Sequence, residues 1–279
     1  MQYSENPYVN VEKITSGVWA ITSPGDCDSL CYLVEGQDKA LLIDTGFGVG
    51  NLRGLCEKLT PKEILVVNTH FHFDHVMGNF QFEKVYIHSA DVEALKQTNE
   101  EYRTAPQYYI PEGAAFTKDD FVPYSDYEII PIENNHVFDL GGGYEIELLW
   151  TPGHSDGNSM LLDRKRRMLF SGDALVRTPT LVFFGENTGL NTVEAFHESL
   201  VPLLSRMDEF DALYPGHFEH PQPTAILPDM VTLTGFILQE PDRFDDWQDM
   251  GGEPHAAWRR NHGLAYISFD RKHVYRNKQ

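Results

Sequence analysis

Basic residues are scarce in this chain. Lys and Arg together number 22 against 42 Asp and Glu in 279 residues, a formal net charge of -20 with histidine neutral. Ligands such as nucleic acids draw on clustered cations. The one basic run, Arg164–Arg167, falls on an expected hairpin turn, so no nucleic-acid partner is expected. A negative surface also keeps an enzyme soluble without serving any ligand. Cysteine is nearly as sparse: Cys27, Cys31 and Cys56 are an odd number without C-x-x-C spacing. Reduced thiols in a reducing compartment are the simplest reading. The stretch MQYSENPYVN carries no basic segment followed by an apolar one, which excludes a signal peptide there. No apolar run approaches the roughly 20 residues of a membrane span. A cytoplasmic protein with no membrane partner is expected.

What is present is a globular composition, 41% hydrophobic, arranged in short apolar runs between turn residues. Strands are expected at 17–23, 29–36, 39–46, 63–70, 84–89 and 144–154, with a hairpin over 159–175 and a last strand over 212–217. Helical spacing marks 49–59, 90–97, 192–207 with Thr192 as N-cap, and 224–239. Residues 98–127 break the rhythm, with seven Tyr and Phe among prolines and charges. Such a stretch is a lid or an insertion packed on the body. Residues 241–263 read as loop, and 264–276 as a terminal hairpin around Asp270–Lys272. Strands and helices alternate in each half, which predicts α/β layers.

The densest chemistry is NTHFHFDH at 68–75. His70 and His72 alternate after a buried strand and can share one cation, while the adjacent Asp74 and His75 diverge from them and can serve a second. Imidazole with carboxylate suits zinc, iron or manganese better than calcium. Six positions cannot complete two coordination shells, so the metal reading demands further ligands at other strand ends. TPGHS supplies His154, FSGDA supplies Asp173 and YPGHF supplies His217, each beside a glycine that permits a tight turn.

In that order and without gaps, these residues resemble the metallo-β-lactamase superfamily, over roughly residues 14–220. LLIDTG, with Asp44, resembles the family's first motif, whose aspartate is structural. The resemblance implies an αβ/βα four-layer sandwich of two mixed β-sheets with helices on the outer faces. It implies a catalytic domain over 1–220 with the aromatic insertion at 98–127, and an extension, 221–279, packed on the same domain. By position, His70, His72 and His154 would hold one metal, Asp74, His75 and His217 a second, and Asp173 would bridge them. Two divalent ions are implied, zinc first, with iron or manganese as the other candidates. Sites of this type place their ions about 3.5–4 Å apart and lower the pKa of a bridging water toward about 7. Asp74 is then the catalytic residue, orienting the hydroxide or relaying its proton.

The expected reaction is hydrolysis of a small ester, lactone or thioester, in the lactonase and glyoxalase II-like branch. PGHFEHPQ at 215–222 departs from the glyoxalase II context, and RTPTLVFFGENTG at 177–189 offers Leu181, Phe183 and Phe184 as an acyl wall or as core. The alternatives are a mononuclear iron persulfide dioxygenase, using His70, His154 and Asp173, and a phosphodiesterase. The partner expected is a small-molecule substrate, with the extension covering the pocket or building a homodimer contact.

Overall fold

In the computed structural model of the chain, the described residues are 8–23, 29–105, 110, 116–249 and 256–276. They divide into two compact units, residues 1–148 with 216–218, and residues 149–215 with 219–279.

The first unit is built on a seven-stranded sheet whose order follows the chain. Its strands are β1 (Asn10–Thr15), β2 (Val18–Ser23), β3 (Ser29–Glu35), β4 (Lys39–Ile43), β5 (Glu63–Val67), β6 (Lys84–His88) and β7 (Glu128–Ile132). The first four pair antiparallel and the last four parallel. Parallel neighbours need crossovers, supplied by α1 (Leu52–Leu59) after β4 and α3 (Val92–Thr104) after β6. Alternate strand residues make one buried face: Trp19, Ile21, Cys31, Leu33, Ala40, Leu42, Val66 and Val85 pack with Leu52, Leu55 and Cys56 of α1. Period-2 strands meeting a helix stripe produce that layer. Cys31 and Cys56 are buried free thiols, and burial pushes Cys56 up to about 12, so they are core residues; Cys27 lies outside the described residues.

Four strands, β1, β7, β8 (Val137–Asp139) and β12 (Thr180–Val182), carry no clear alternation and were not expected. The irregular reading of 98–127 is corrected at its start, where α3 continues to Thr104 and buries Tyr102. Tyr102 stacks on Phe80 with ring centroids 5.2 Å apart. Phe116, Phe121, Tyr124 and Tyr127 join apolar clusters with Phe47, Phe73, Met77 and Phe80. These aromatics are packed onto the body; Tyr108 and Tyr109 lie outside the described residues.

β9 (Glu145–Trp150) pairs with β8 and carries the chain into the second unit. There β10 (Ser159–Asp163) and β11 (Met168–Gly172) form the expected hairpin, and β13 (Ala212–Pro215) pairs parallel to β11. The expected helix at 192–207 is α4 (Val193–Leu200), capped by the Thr192 hydroxyl accepting from Ala195 N, then a 3-10 run over Val201–Glu209. α5 (Ile226–Gln239) shares one core with α4, β10, β11 and β16 (Ala265–Phe269), including Phe196, Leu200, Met230, Leu233, Ile267 and Phe269.

Two expectations fail here. Residues 241–263 are not all loop, because β14 (Asp246–Asp249) and β15 (Ala256–His262) pair antiparallel. The terminal hairpin turns at Gly263–Leu264, between paired His262 and Ala265, where Gly263 takes the φ of +56° that a two-residue turn requires. Asp270 instead caps a 3-10 turn, accepting from His273 N at 2.8 Å. No helix among the described residues is long and apolar enough to cross a membrane.

Candidate metal centre

Parallel strands gather the loops at their carboxyl ends along one edge of a sheet. β4 ends at Ile43, and Asp44 comes next with a φ of 60°, a left-handed conformation that Asp and Asn tolerate best. β5 ends at Val67, and Asn68, a bend at Thr69 and His70, and then Phe71 and His72 lead into the short helix α2 (Phe73–Val76). Gly78 brings the end of that helix against the Asp44 turn, since a Cβ there would lie 2.4 Å from the Thr45 carbonyl oxygen.

Asp44 is buried and organises the ligands around its carboxylate. Its Oδ1 accepts from Thr69 N at 2.8 Å, and its Oδ2 from the Thr69 hydroxyl at 2.8 Å and from His75 Nδ1 at 3.0 Å. A carboxylate only accepts, so His75 carries its proton on Nδ1 and presents a lone pair on Nε2. The Thr69 hydroxyl has spent its proton on Asp44, so His70 Nδ1, 2.9 Å away, donates to it. His70 therefore also presents a bare Nε2. One buried aspartate thus sets the tautomer of two imidazoles, a support that metal-ligating histidines generally have.

The bare Nε2 of His75 lies 3.2 Å from His217 Nε2. Asp74 Oδ2 lies 3.5 Å from the first nitrogen and 3.3 Å from the second. Zinc binds imidazole and carboxylate at about 2.0–2.2 Å, which makes the edge of a ligand tetrahedron about 3.3–3.6 Å. The three donor atoms form a triangle of that size, all three residues are buried, and they could hold a metal ion. His217 is fixed there by an antiparallel bridge to Ser29 and by Leu30 N donating to the Gly216 carbonyl at 2.7 Å. His70 and His72 come after β5 with ring centroids 4.6 Å apart.

In the second unit, His154 lies just beyond β9 and Asp173 just beyond β11. His154 Nδ1 donates to the Leu181 carbonyl at 2.8 Å, which places the ring's lone pair on Nε2, 3.5 Å from Asp173 Oδ2. Gly153 holds that turn at a φ of +147°, with Phe196 so close that a Cβ would lie 2.4 Å from the Phe196 Cβ. Of the three residues offered as an acyl wall, Phe183 is buried, Phe184 is partly exposed with its ring 6.0 Å from that of His154, and Leu181 reaches the ligand through its backbone.

Residues 24–221 match the profile of the metallo-beta-lactamase superfamily. The chain belongs to that superfamily. It is a metal-dependent hydrolase with the metallo-β-lactamase fold. Among similar proteins is the acyl-coenzyme A thioesterase MBLAC2 of Homo sapiens, 29% identical over 204 residues, covering 67% of this chain and 72% of that one. An N-acyl homoserine lactonase of Bacillus cereus is 28% identical over 184 residues, covering 53% and 64%. A metallo-beta-lactamase from Pontibacter korlensis superposes with a TM-score of 0.59 at 19% identity, covering 81% of this chain and 99% of that one.

Spacing within the histidine motif does not single out Thr69 as a support for the ligands, nor Asn68 and Asn79, although all three are polar residues within or beside it. A polar residue just after a strand is the signal the sequence offers for Asn68 and Thr69; Asn79 follows α2 and opens a 3-10 turn, with no such signal.

Proposed function

We propose that this superfamily member hydrolyses a small acyl thioester at a dinuclear site, with oxyesters and lactones as weaker substrates. Asp74, His75 and His217 would hold one ion, His70, His72 and His154 the other, and Asp173 would bridge. The observation that carries the reading is the Asp74–His75–His217 triangle, with edges of 3.2–3.5 Å and a proton-free His75 nitrogen. The ordered recurrence of His154 and Asp173 after strands of the second unit supports the rest. Zinc suits the nitrogen-rich donor set best. The thioester is favoured because similarity extends over 72% of the human thioesterase but 64% of the lactonase.

Two divalent ions bound there would supply Lewis acidity and bring the pKa of water toward about 7. The chain's own part is positional. Asp44 keeps His75 and, through Thr69, His70 in the ligating tautomer. Asp74, whose Oδ2 lies with the His75 and His217 nitrogens, would hold and return the proton of the attacking water. A departing thiolate, with a pKa of about 8.5, needs little help from a proton, so Asp74 matters more for an alkoxide than for a thiolate.

The test is a hydrolysis screen of metal-assayed protein on a thioester, an oxyester, an acyl lactone and a phosphodiester of matched acyl length. The proposal expects kcat/KM to fall in the order thioester, oxyester and lactone, with the phosphodiester inert. Phosphodiester hydrolysis above all carbonyl substrates would overturn it.

A further inference from the structure

A line of side-chain hydrogen bonds in the first unit, buried at its inner end and half-buried at its outer end, joins the aromatic insertion to the metal-ligand turn. Asn79 is fully buried and its amide makes four bonds. Its Nδ2 donates to Asn68 Oδ1 at 2.7 Å and to the Tyr127 hydroxyl at 3.2 Å. Its Oδ1 accepts from the Thr45 hydroxyl at 2.8 Å and from Asn68 Nδ2 at 3.2 Å. At the inner end the His75 carbonyl accepts from Thr45 N at 2.8 Å and, at 3.4 Å, from Asn68 Nδ2. At the outer end the Tyr127 hydroxyl donates to Asn99 Oδ1 of α3 at 3.0 Å. The line therefore runs from α3 through Tyr127, Asn79, and the pair Asn68 and Thr45, to the backbone of a ligand.

Its polarity is fixed. Burial, the largest cause, pushes the Tyr127 hydroxyl up to about 12, so it keeps its proton at neutral pH. That proton goes to Asn99, which leaves only the oxygen lone pairs facing Asn79. The Asn79 amide must therefore turn its NH2 toward Tyr127. In that orientation the reciprocal pair with Asn68 exists, and the Thr45 hydroxyl finds its shorter acceptor in Asn79 Oδ1 at 2.8 Å, against 3.2 Å to the His75 carbonyl. A flipped amide would set oxygen against oxygen at Asn68 and NH2 against the Thr45 hydroxyl. Without the Tyr127 hydroxyl, one Asn79 N–H is left unsatisfied, and the Asn79–Asn68 pair loses its link to Asn99 of α3.

We propose that Tyr127 is a positioning residue for the second metal, setting the Asn79 amide and through it the His75 turn, so that docking of the insertion is needed for tight binding at Asp74, His75 and His217. The proposal rests on the two-metal reading. It gives the 98–127 segment a role in metal retention, separate from any contact with substrate.

The test is zinc titration of the apoprotein against a chromophoric chelator, which reads each affinity without turnover. His217→Ala identifies which of the two affinities belongs to the second metal. Tyr127→Phe keeps the ring and removes the hydroxyl. Second-metal affinity is expected to fall about tenfold, the lower end for an outer support of a ligand, with the first within about twofold. Val85→Ala, a core truncation in the same unit, serves as a stability control and should leave both affinities unchanged while lowering Tm. Asn79→Ala should lose at least as much, and adding Tyr127→Phe to it should cost little more, because both act through one line. One zinc per wild-type chain overturns the two-metal reading and the proposal with it. Two zincs, with unchanged affinities in Tyr127→Phe or additive losses in the double variant, overturn the positioning role alone.

Discussion

Asp44→Asn isolates the carboxylate from the backbone it sits on. Asn tolerates a φ of 60° as well as Asp does, so the turn is kept and the side chain is isosteric. The carboxylate receives three hydrogen bonds, two at 2.8 Å from Thr69 and one at 3.0 Å from His75 Nδ1. An amide has one oxygen, so one end must now face a donor with a donor. With NH2 at the Oδ2 position it opposes both His75 Nδ1–H and the Thr69 hydroxyl; at Oδ1 it opposes Thr69 N–H. The first case pushes the His75 proton to Nε2, the atom that faces His217 and Asp74. A lost hydrogen bond to a charged group costs about 1.5–3 kcal/mol, which is about 10–100-fold in second-metal affinity. Apoprotein stability should change less, because the variant also removes a buried carboxylate whose desolvation costs stability. Chelator competition on Asp44→Asn, beside thermal unfolding of the apoprotein, separates these effects. Wild-type affinity in a folded Asp44→Asn protein would refute the tautomer-setting role.

Further expectations concern individual residues of both units. Asp74→Asn should lower kcat for an oxyester by about 10²–10⁴-fold but for a thioester of the same acyl group by less, since a thiolate leaves unprotonated; equal losses per bound metal would leave Asp74 as a ligand only. Gly153→Ala drives a methyl into the buried Phe196 ring at a φ of +147°, and overpacking of this kind costs about 1–3 kcal/mol, so an unchanged thermal midpoint would discard the close-approach account of that turn. Glu209 is held down at about 2, first by hydrogen bonding to Arg206 and then by Arg164. Its folded pKa lies below the ordinary glutamate value, so it contributes stability above about pH 4.3 that is lost as pH falls through about 2. Glu209→Gln should lower Tm slightly at neutral pH, as expected for a surface network worth up to about 1 kcal/mol, and the gap to wild type should close on acidification; a gap that widens toward pH 2 reverses the sign and refutes it.

Much of this was legible in the sequence because two signals coincide at the same places. Apolar runs locate β2–β6 and β9–β11, and the histidines and aspartates fall immediately after several of them, so a strand boundary and a donor mark one position together. The hidden parts lack such coincidence. α3 continues through TNEEYRT, where Thr98 and Tyr102 are buried, and a single aromatic anchor among six polar residues gives no period. β15 reads as loop since Arg260 stands where an inward residue belongs, yet Arg260 is 5% exposed and pairs with Ile267. Asp270 reads as a turn residue and is one, but it caps the turn after the hairpin, while Gly263 makes the hairpin itself. The supports of the ligands were the least visible. Thr69 and Asn79 act through hydrogen bonds to residues far along the chain, and spacing within a motif does not show those partners.

The central claim, two ions acting together on an acyl thioester, is tested most directly by stepwise zinc reconstitution. Apoprotein is titrated with zinc while thioester turnover and bound metal are read on the same samples. The account expects turnover to rise with the second equivalent and to saturate at two zincs per chain. Full turnover at one zinc per chain, or a protein that takes one iron and shows no hydrolysis with zinc, would contradict it.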